Sequence, residues 1–379
     1  MRVLIAADSF KGSLSSLKVA EAVERGVRQV YPGAEVHKAA VADGGEGTVE
    51  AMVEYLQGRY VHAEVTGPLG EKITAKYGII GGDTAIIEMA ETSGLCLVPD
   101  GKRNPLLTTT YGTGELILDS INRGCRKIII GIGGSATNDG GAGMASALGA
   151  GLTDNRGQPI GMGGGALDTL ERIGTAGMDP RLKTVDILVA CDVDNPLCGE
   201  SGASKVFGPQ KGATPEMIEQ LDKNLHRFSE IIKRDMGIEI ENIPGAGAAG
   251  GLGGGLIAFC GARHFKGIDL ILDILNMDKL IMEADIVITG EGRIDGQTIY
   301  GKVPMGIAAL AKKYRRPVFA ITGYIGKDAR LVYEKGIDSI VSAMAAPISV
   351  PEAMKNAPKL IAEASERLFR IIRAVRPEA

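Results

Sequence analysis

Residues 2–33, RVLIAADSFKGSLSSLKVAEAVERGVRQVYPG, carry the pattern that decides the fold class. The short aliphatic run at 2–7 predicts a strand, and the polar segment at 8–13 predicts a turn. After the turn, valines recur at spacings of four, four and three residues, at Val19, Val23, Val27 and Val30. This spacing predicts a helix with one apolar face, ended by the Pro-Gly pair at 32–33. The chain therefore opens with a strand-loop-helix unit.

Further aliphatic runs predict six more strands, most of them separated by helix-like segments. They lie at 85–87, 127–130, 187–190, 286–289, 318–322 and 339–341. Near-continuous aliphatic strands that alternate with helices are typical of parallel sheets covered on both faces. The sequence therefore predicts an α/β fold.

The length of 379 residues, 45% of them apolar, predicts two domains, because single cores stop growing beyond roughly 250 to 300 residues. The carboxyl-terminal third keeps the strand-helix rhythm of the amino terminus, whereas the middle is richer in glycine clusters. We therefore predict a Rossmann-like parallel-sheet domain formed by residues 1–65 and 283–379. Residues 66–282 are predicted to form a second, inserted α/β domain, with the active site in the interdomain cleft.

Charge and composition exclude several classes of protein. The net charge is only -4, no long Lys/Arg run occurs, and Trp is absent, so a nucleic-acid binder is not indicated. The apolar run at the amino terminus is too short for a signal peptide, and no run in the sequence approaches the ~20 apolar residues of a membrane span. We therefore expect a soluble, cytoplasmic protein.

Cysteine and histidine offer no recognisable site. The five cysteines are scattered and lack the spacing of a structural zinc site. The four histidines lie outside the glycine-rich loops described below, so a histidine-based triad is not supported. The P-loop pattern and the protein-kinase catalytic-loop signature are absent, and ADSFKG stands where a Rossmann dinucleotide fingerprint should follow the first strand. Proton transfer would fall to carboxylates or lysine.

The 54 glycines are about twice the average share of a globular protein, and they cluster in loops. Five such loops combine glycine with carboxylate, hydroxyl or basic side chains, at 8–13, 43–48, 131–143, 191–195 and 290–298. A glycine-rich loop at a helix N-terminus offers free backbone N–H groups to phosphate. In open α/β sheets such loops gather at one edge, where ligands bind. Together they favour a polyphosphate site over ordinary turns.

Three groups of loop residues are the candidates for this chemistry. Phosphates suit the backbone and short side chains of Gly133, Gly134, Ser135 and Asn138, although a tight turn needed only for packing is the alternative. A metal ion or a general base suits the carboxylates of Asp192 and Asp194, which follow a strand at period-two spacing. Phosphate or a substrate carboxylate suits the cations of Lys11, Lys211 and Arg293, although Arg293 could instead be a structural ion-pair partner.

Eight segments, taken in order, resemble the bacterial glycerate kinase family. They are DSFKGSLS, ADGGEGT, EMAETSGL, RNPLLTTTYGTGEL, GIGGSATNDGGAGM, CDVDNPL, FGPQKGAT and ITGEGRIDGQT. The resemblance runs from residue 2 to about residue 350. It implies a two-domain kinase that uses ATP and Mg, acts on D-glycerate in glyoxylate, glucarate or galactarate breakdown, and is associated mainly with 2-phosphoglycerate as product.

On this basis we assign hypothetical roles to the loop residues. The catalytic candidates are Asp192, Asp194 and Lys11. The glycerate-binding candidates are Asp8, Ser9, Lys11, Arg293 and Asp295. The nucleotide-binding candidates are Gly133, Gly134, Ser135, Asn138 and Asp139. The metal ligands are expected to be Asp192, Asp43 and Glu46.

Two alternatives to glycerate kinase stay open at this point. One is a kinase of another small hydroxy acid or of a triose. The other is a noncatalytic ligand-binding sensor, which would not need so many acids near its phosphate loops and carries no appended DNA-binding segment. A homodimer is compatible with the sequence.

Overall fold

The computed structural model describes residues 1–375, in which strands and helices alternate along most of the chain. The strands are β1 (Arg2–Ala7), β2 (Glu35–Ala40), β3 (Arg59–Thr66), β4 (Lys72–Ile80), β5 (Thr84–Glu88), β6 (Lys127–Gly131), β7 (Gly151–Thr153), β8 (Arg172–Gly174), β9 (Asp186–Ala190), β10 (Arg263–Phe265), β11 (Ile286–Ile294), β12 (Val318–Ile325) and β13 (Ser339–Ser342). The helices are α1 (Ser16–Val30), α2 (Thr48–Tyr55), α3 (Ala90–Ser93), α4 (Tyr111–Asn122), α5 (Ala142–Ala147), α6 (Ala203–Phe207), α7 (Pro215–Met236), α8 (Leu252–Cys260), α9 (Gly267–Ile274), α10 (Met277–Glu283), α11 (Val303–Lys313), α12 (Leu331–Glu334), α13 (Val350–Lys355) and α14 (Ala357–Val375).

The chain divides into two compact units. The first contains Met1–Asp43, Glu50–Gln57 and the chain from Lys266 onwards, and the second contains Gly44–Val49 and Gly58–Phe265. The first unit is discontinuous and takes segments from both ends of the chain.

The boundaries nevertheless differ from the predicted domains 1–65 and 283–379, and 66–282. Strand β3 pairs with β4 from Arg59 to Thr66, so its residues belong to the second unit. Helices α9 and α10 belong to the first unit, because a Cβ at Gly306 of α11 would lie only 2.3 Å from Ile268 of α9. Residues 376–379 of the predicted first domain lie outside the described residues.

The first unit is built on a five-stranded parallel sheet with the order β13-β12-β11-β1-β2. Numbered by chain order within the unit, this is 2-1-3-4-5, the flavodoxin-like doubly wound order rather than the Rossmann order. The order reverses between β1 and β11, which pair with Val3 opposite Ile286. The sheet therefore has its topological switch point where β1 and β11 end.

The predicted amphipathic helix is confirmed as α1. Its valines, Val19, Val23, Val27 and Val30, are all buried in the core of the first unit. Helix α14 packs so closely on α1 that a Cβ at Gly26 would lie 2.2 Å from the Ala362 carbonyl oxygen. The spacing of apolar residues in the sequence thus defines the buried face of α1.

The second unit contains a six-stranded mixed sheet with the order β10-β9-β6-β5-β4-β3. Strands β10, β9, β6 and β5 run parallel to one another, whereas β4 is antiparallel to both of its neighbours, β5 and β3. A separate antiparallel pair is formed by β7 and β8. The α/β class is confirmed. The second sheet is mixed because β3 and β4 form an antiparallel hairpin, which the aliphatic runs did not predict.

All of the strands predicted from aliphatic runs are present in the described residues. Some boundaries are wrong, and the clearest case is the predicted loop 290–298, which begins inside β11. The strand continues because it keeps pairing with β12 as far as Ile294 opposite Ile325.

Candidate functional site

The switch point of the first unit opens into a cavity of about 760 Å³. Asp8 directly follows β1, and Glu291 lies in β11 on the other side of the switch point. Asp43, which comes shortly after β2, lines the same cavity. Six of the predicted site residues therefore line one cavity: Asp8, Ser9, Lys11, Asp43, Arg293 and Asp295.

Asp8 is the most strongly perturbed acid of this cavity. Its residue is only 5% exposed, and its Oδ1 accepts a hydrogen bond of 2.7 Å from the Ser9 amide. Burial, followed by the like charge of Asp43, raises the pKa of Asp8 to about 7. A buried carboxyl beside a second carboxyl favours a cation between them.

Glu291 and Lys302 form an ion pair that the sequence analysis did not assign. The Lys302 Nζ lies 3.0 Å from a Glu291 carboxylate oxygen, and the Thr298 hydroxyl donates to the other oxygen at 2.6 Å. Burial raises the pKa of Glu291, and the contacts with Thr298 and Lys302 oppose that rise. Glu291 and Thr298 lie within the quoted loop 290–298, but Lys302 lies outside it, and only the fold shows that they pair.

Arg293 forms an ion pair with Asp295 at 2.8 Å, as the alternative from its sequence context proposed. Its guanidinium is largely exposed and lies 5.8 Å from the centre of the Tyr324 ring. One ion pair leaves further guanidinium N–H donors, so Arg293 is able to contact a second anion.

One part of the cavity wall is apolar. It is formed by Tyr324 of β12, by Val350 and Met354 of α13, and by Leu360 of α14. The side chain hydroxyl of Ser13 donates to the Met354 carbonyl at 3.0 Å and so holds α13 beside the 8–13 loop. The lining of the cavity therefore combines charged side chains with an apolar wall.

The second unit brings three strand ends together at one edge of its sheet. Glu88 of β5 lies opposite Gly131 of β6, which lies opposite Ala190 of β9. The 131–143 loop and the 191–195 segment therefore leave this sheet side by side. The predicted Gly133 and Gly134 are exposed here, and Gly133 faces the backbone of Gly45.

Deeper residues of the 131–143 loop are buried and hydrogen-bonded within the protein. Asp139 is fully buried and accepts hydrogen bonds from the amide and hydroxyl of Thr110 and from two amides of its own loop. The Asn138 amide donates to the Ser204 hydroxyl at 2.9 Å, and Ser135 pairs with Gly94 in a short bridge. Burial raises the pKa of Asp139, and these hydrogen bonds oppose it. Asn138 and Asp139 therefore stabilise the conformation of the loop through these hydrogen bonds.

Lys211 is also buried, which corrects its prediction as a loop cation for phosphate. Its residue is 1% exposed, and its Nζ donates to the Thr137 carbonyl at 2.7 Å. Burial lowers the pKa of Lys211 to about 7, and the charge of Asp139 opposes that shift. Lys211 therefore holds the loop backbone instead of facing solvent.

Asp192 and Asp194 are both exposed beyond the end of β9. The alternate residues Cys191 and Val193 pack against the core of the second unit, and the Cys191 thiol donates to the Val193 carbonyl. The strand ends at Ala190, but the alternation continues, so both carboxylates point away from the core.

The predicted metal ligands Asp192, Asp43 and Glu46 are divided between the units, with Asp43 in the first and the other two in the second. Within residues 1–375, no group of three or more His, Cys, Asp or Glu side chains is close enough together to hold a metal ion. Glu46 is exposed, in a loop that the buried Glu88 fixes by accepting the Val49 amide at 2.8 Å. Glu88 was not singled out from the sequence.

The glycine-rich segment 245–255 packs its backbone against the 131–143 loop. A Cβ at Gly250 would lie 1.9 Å from the Thr137 carbonyl oxygen, and one at Gly255 would lie 2.4 Å from the Gly140 carbonyl oxygen. The Gly140 amide also donates to the Gly250 carbonyl at 3.0 Å. These glycines allow a close approach of two backbones that no larger residue would permit.

A scan against family models matches the glycerate kinase family over residues 3–373. The chain belongs to the glycerate kinase family. The resemblance that the loop motifs indicated is therefore confirmed over nearly the whole chain.

Individual relatives of this glycerate kinase family member agree with that assignment. The chain is 53% identical to Escherichia coli K12 glycerate 2-kinase, covering 97% of both chains. It is 52% identical to the Bacillus subtilis 168 glycerate kinase, covering 99% of this chain and 97% of the relative. A crystal structure of a candidate glycerate kinase 2 from Salmonella typhimurium LT2 matches with a TM-score of 0.92 and 49% identity over the whole of both chains. The described fold is thus that of a solved relative.

Two further features of this family member concern its helices and cysteines. A helix with an apolar run long enough to span a bilayer is not found among residues 1–375. The five cysteines all lie in this part of the chain and are free thiols.

Proposed function

We propose that the chain transfers the γ-phosphoryl group of ATP to a hydroxyl of D-glycerate and gives 2-phosphoglycerate. The observation that supports this most strongly is the 53% identity with a protein named glycerate 2-kinase over 97% of both chains. That identity extends over nearly the whole length of both chains.

Phosphoryl transfer needs cations for the phosphates, oxygen ligands for Mg²⁺ and a group that orients the attacking hydroxyl. The first unit supplies Lys11, Arg293 and Lys302 beside its cavity. The second unit supplies the exposed carboxylates of Asp192 and Asp194. We propose that one of these two acids accepts the proton of the glycerate hydroxyl and that Lys11 neutralises phosphate charge.

Gly133 and Gly134 are the exposed part of the 131–143 loop. We propose that their backbone N–H groups bind an anionic group of a substrate, because adjacent amides with one residue at positive φ form a concave anion site. The buried Asn138 and Asp139 then act by holding this part of the loop in shape.

Asp8 and Asp43 fit a magnesium ion. Two carboxyls that line one cavity, one of them with a pKa raised partly by the other, are relieved by a divalent cation. Mg²⁺ is usually held by one or two carboxylates together with substrate phosphates, whose charge it neutralises. We therefore propose Asp43 with Asp8 as metal ligands, while Asp192 is proposed, with Asp194, as a candidate base, and the ligand role of Glu46 stays a prediction.

Removal of divalent metal is expected to lower turnover of ATP with glycerate by at least about a hundredfold, because metal ions supply several kcal/mol to such reactions. Steady-state turnover after exhaustive chelation, followed by addition of Mg²⁺, measures this effect. The melting temperature of the chelated protein is the control for folding. Full turnover in chelated protein would contradict the proposed metal dependence.

Substrate preference tests the proposed function directly. We expect the value of kcat/KM for D-glycerate to exceed those for glycolate, lactate, tartronate and dihydroxyacetone by about tenfold or more, because a site built to bind every polar group of a substrate rejects analogues that lack one. Glycolate and lactate lack the terminal hydroxyl of glycerate, tartronate has a carboxylate in its place, and dihydroxyacetone lacks the carboxylate. ATP consumption with each compound provides the comparison, and NMR of the product distinguishes 2-phosphoglycerate from 3-phosphoglycerate. Preference for another member of the panel would favour the alternative kinases. Binding without turnover of any member would favour a sensor.

Three finer expectations from the sequence stay predictions: an active site in an interdomain cleft, a homodimer and a cytoplasmic location. Scattering profiles with and without substrates, sedimentation and cell fractionation test them in that order.

A further inference from the structure

We infer that the cavity of the first unit binds the nucleoside triphosphate, with the nucleoside on its apolar wall, and is not the glycerate site. This inference rests on the proposed function, because it takes the phosphoryl donor to be a nucleoside triphosphate. It replaces the assignment of Asp8, Ser9, Lys11, Arg293 and Asp295 to glycerate with an assignment to the donor.

The size of the cavity separates the two substrates. Its volume of about 760 Å³ falls within the roughly 300–1,000 Å³ of pockets that enclose drug-sized ligands. Glycerate is a very small acid, and such a pocket would leave most of its surface in water. A nucleoside triphosphate is of the size that fills a pocket of this volume.

The apolar wall makes the same distinction by chemistry. Tyr324, Val350 and Met354 are large apolar side chains that are 52%, 66% and 38% exposed, and all three line this cavity. Glycerate carries a polar group on every carbon and gains nothing from such a wall. The flat ring of a base would cover it and remove its apolar area from water.

The charged side chains that line the cavity suit the phosphates of the nucleotide. Lys11, Arg293 and Lys302 line it together with Asp8 and Asp43, the proposed magnesium ligands. One cavity thus offers an apolar wall, cations and two acids, which match the base, the phosphates and the metal of a magnesium nucleotide. The cavity also lies at the topological switch point of a doubly wound sheet, where such folds bind nucleotides.

The loop that the sequence analysis assigned to the nucleotide offers less room for a nucleoside. Asn138 and Asp139 are fully buried, and helix α5, which follows the loop, has only six residues. The exposed part of the 131–143 loop consists of Gly133 and Gly134, which have no side chain to cover a base. These residues suit a small anion.

A bulky substitution on the apolar wall tests the inference. Ala353 of α13 lines the cavity and is half-buried, so Ala353→Trp should fill the space of the base. We expect it to weaken binding of a nonhydrolysable ATP analogue with Mg²⁺ by about tenfold or more and to raise KM for ATP equally. The KM for glycerate should change by less than about twofold. The matched control is Ala374→Trp, on the exposed end of α14 and outside the cavity, which should leave all three constants unchanged.

The outcomes separate this inference from the proposed function. If Ala353→Trp raises KM for glycerate and leaves analogue binding intact, the cavity is the glycerate site and the inference is overturned. If the wild-type protein binds the analogue through this cavity but phosphorylates no glycerate, the cavity assignment stands and the proposed function fails. If glycerate is phosphorylated and the variant changes none of the three constants, the function stands and the cavity assignment fails.

Photolabelling of the wild-type protein avoids any dependence on the folding of a variant. An azido derivative of ATP should label the peptide that contains residues 344–361, and excess ATP should prevent that labelling. Labelling of residues 131–143 instead would overturn the inference.

Discussion

Replacement of Asp192 or Asp194 by asparagine is expected to lower turnover of glycerate by about a hundredfold or more in at least one variant, the usual scale of general-base catalysis. Both carboxylates emerge beyond the end of β9, at the sheet edge where α/β proteins place ligands. Asparagine keeps the shape of the side chain and removes its charge. A lost proton acceptor therefore lowers kcat without changing the packing of the chain.

Folding should be little affected, because the core contacts of this segment come from Cys191 and Val193. The melting temperatures of both asparagine variants should stay near that of the wild-type protein. Asp186 provides a matched control, because it lies on the same strand at the opposite end and forms an exposed ion pair with Arg263. Asp186→Asn should keep wild-type turnover, since exposed pairs contribute at most about 1 kcal/mol to stability.

Steady-state kcat and thermal melting of the three variants test this assignment together. Wild-type turnover in both Asp192→Asn and Asp194→Asn would remove these residues from the mechanism. Early melting of both would show that the acids serve the fold, and Asp43, Glu46 and Asp295 would become the next candidates.

Gly250→Ala is expected to lower the free energy of unfolding by about 3 kcal/mol or more. Its φ of +69° is disfavoured for alanine, and the new Cβ would lie 1.9 Å from the Thr137 carbonyl oxygen. That carbonyl also accepts the hydrogen bond of the buried Lys211. The backbone can therefore relieve the overlap only by shifting a loop that is fixed from both sides.

Gly261→Ala separates the steric overlap from the backbone strain. Gly261 has a similar φ of +61°, but nothing lies within 4 Å of its added Cβ. Its alanine variant should lose only about 1 kcal/mol, the cost of the left-handed conformation alone. Denaturant unfolding of both variants measures the difference, and equal losses would show that the close backbone approach contributes little.

The first unit could be predicted well from local patterns. The valine spacing of α1 and the aliphatic runs of β11 and β12 record burial directly, because most of those residues face a core. The run of β13 predicted a strand although its residues are only half-buried. The loops that follow these strands were also recognised, and several of their residues line one cavity. Local periodicity and strand ends therefore carry much of the information about a doubly wound sheet.

Features that depend on distant partners could not be predicted in this way. Lys211 stands beside glycine in a polar segment and gives no sign of burial, yet Thr137, which it contacts, is 74 residues away. Glu88 ends an ordinary aliphatic strand, and its partner Val49 is 39 residues away. The apolar wall of the cavity comes largely from α13 and α14, whose sequences do not show that they would meet the 8–13 loop.

The central place of β1, between β2 and β11, also constrains the order in which the chain can fold during synthesis. Its neighbour β11 begins only at Ile286. During synthesis, β1 and β2 must therefore wait without β11 until the rest of the second unit has been made. The second unit has all of its own strands once Phe265 has left the ribosome. The middle of this chain can therefore complete its sheet before the sheet that contains the first strand is finished.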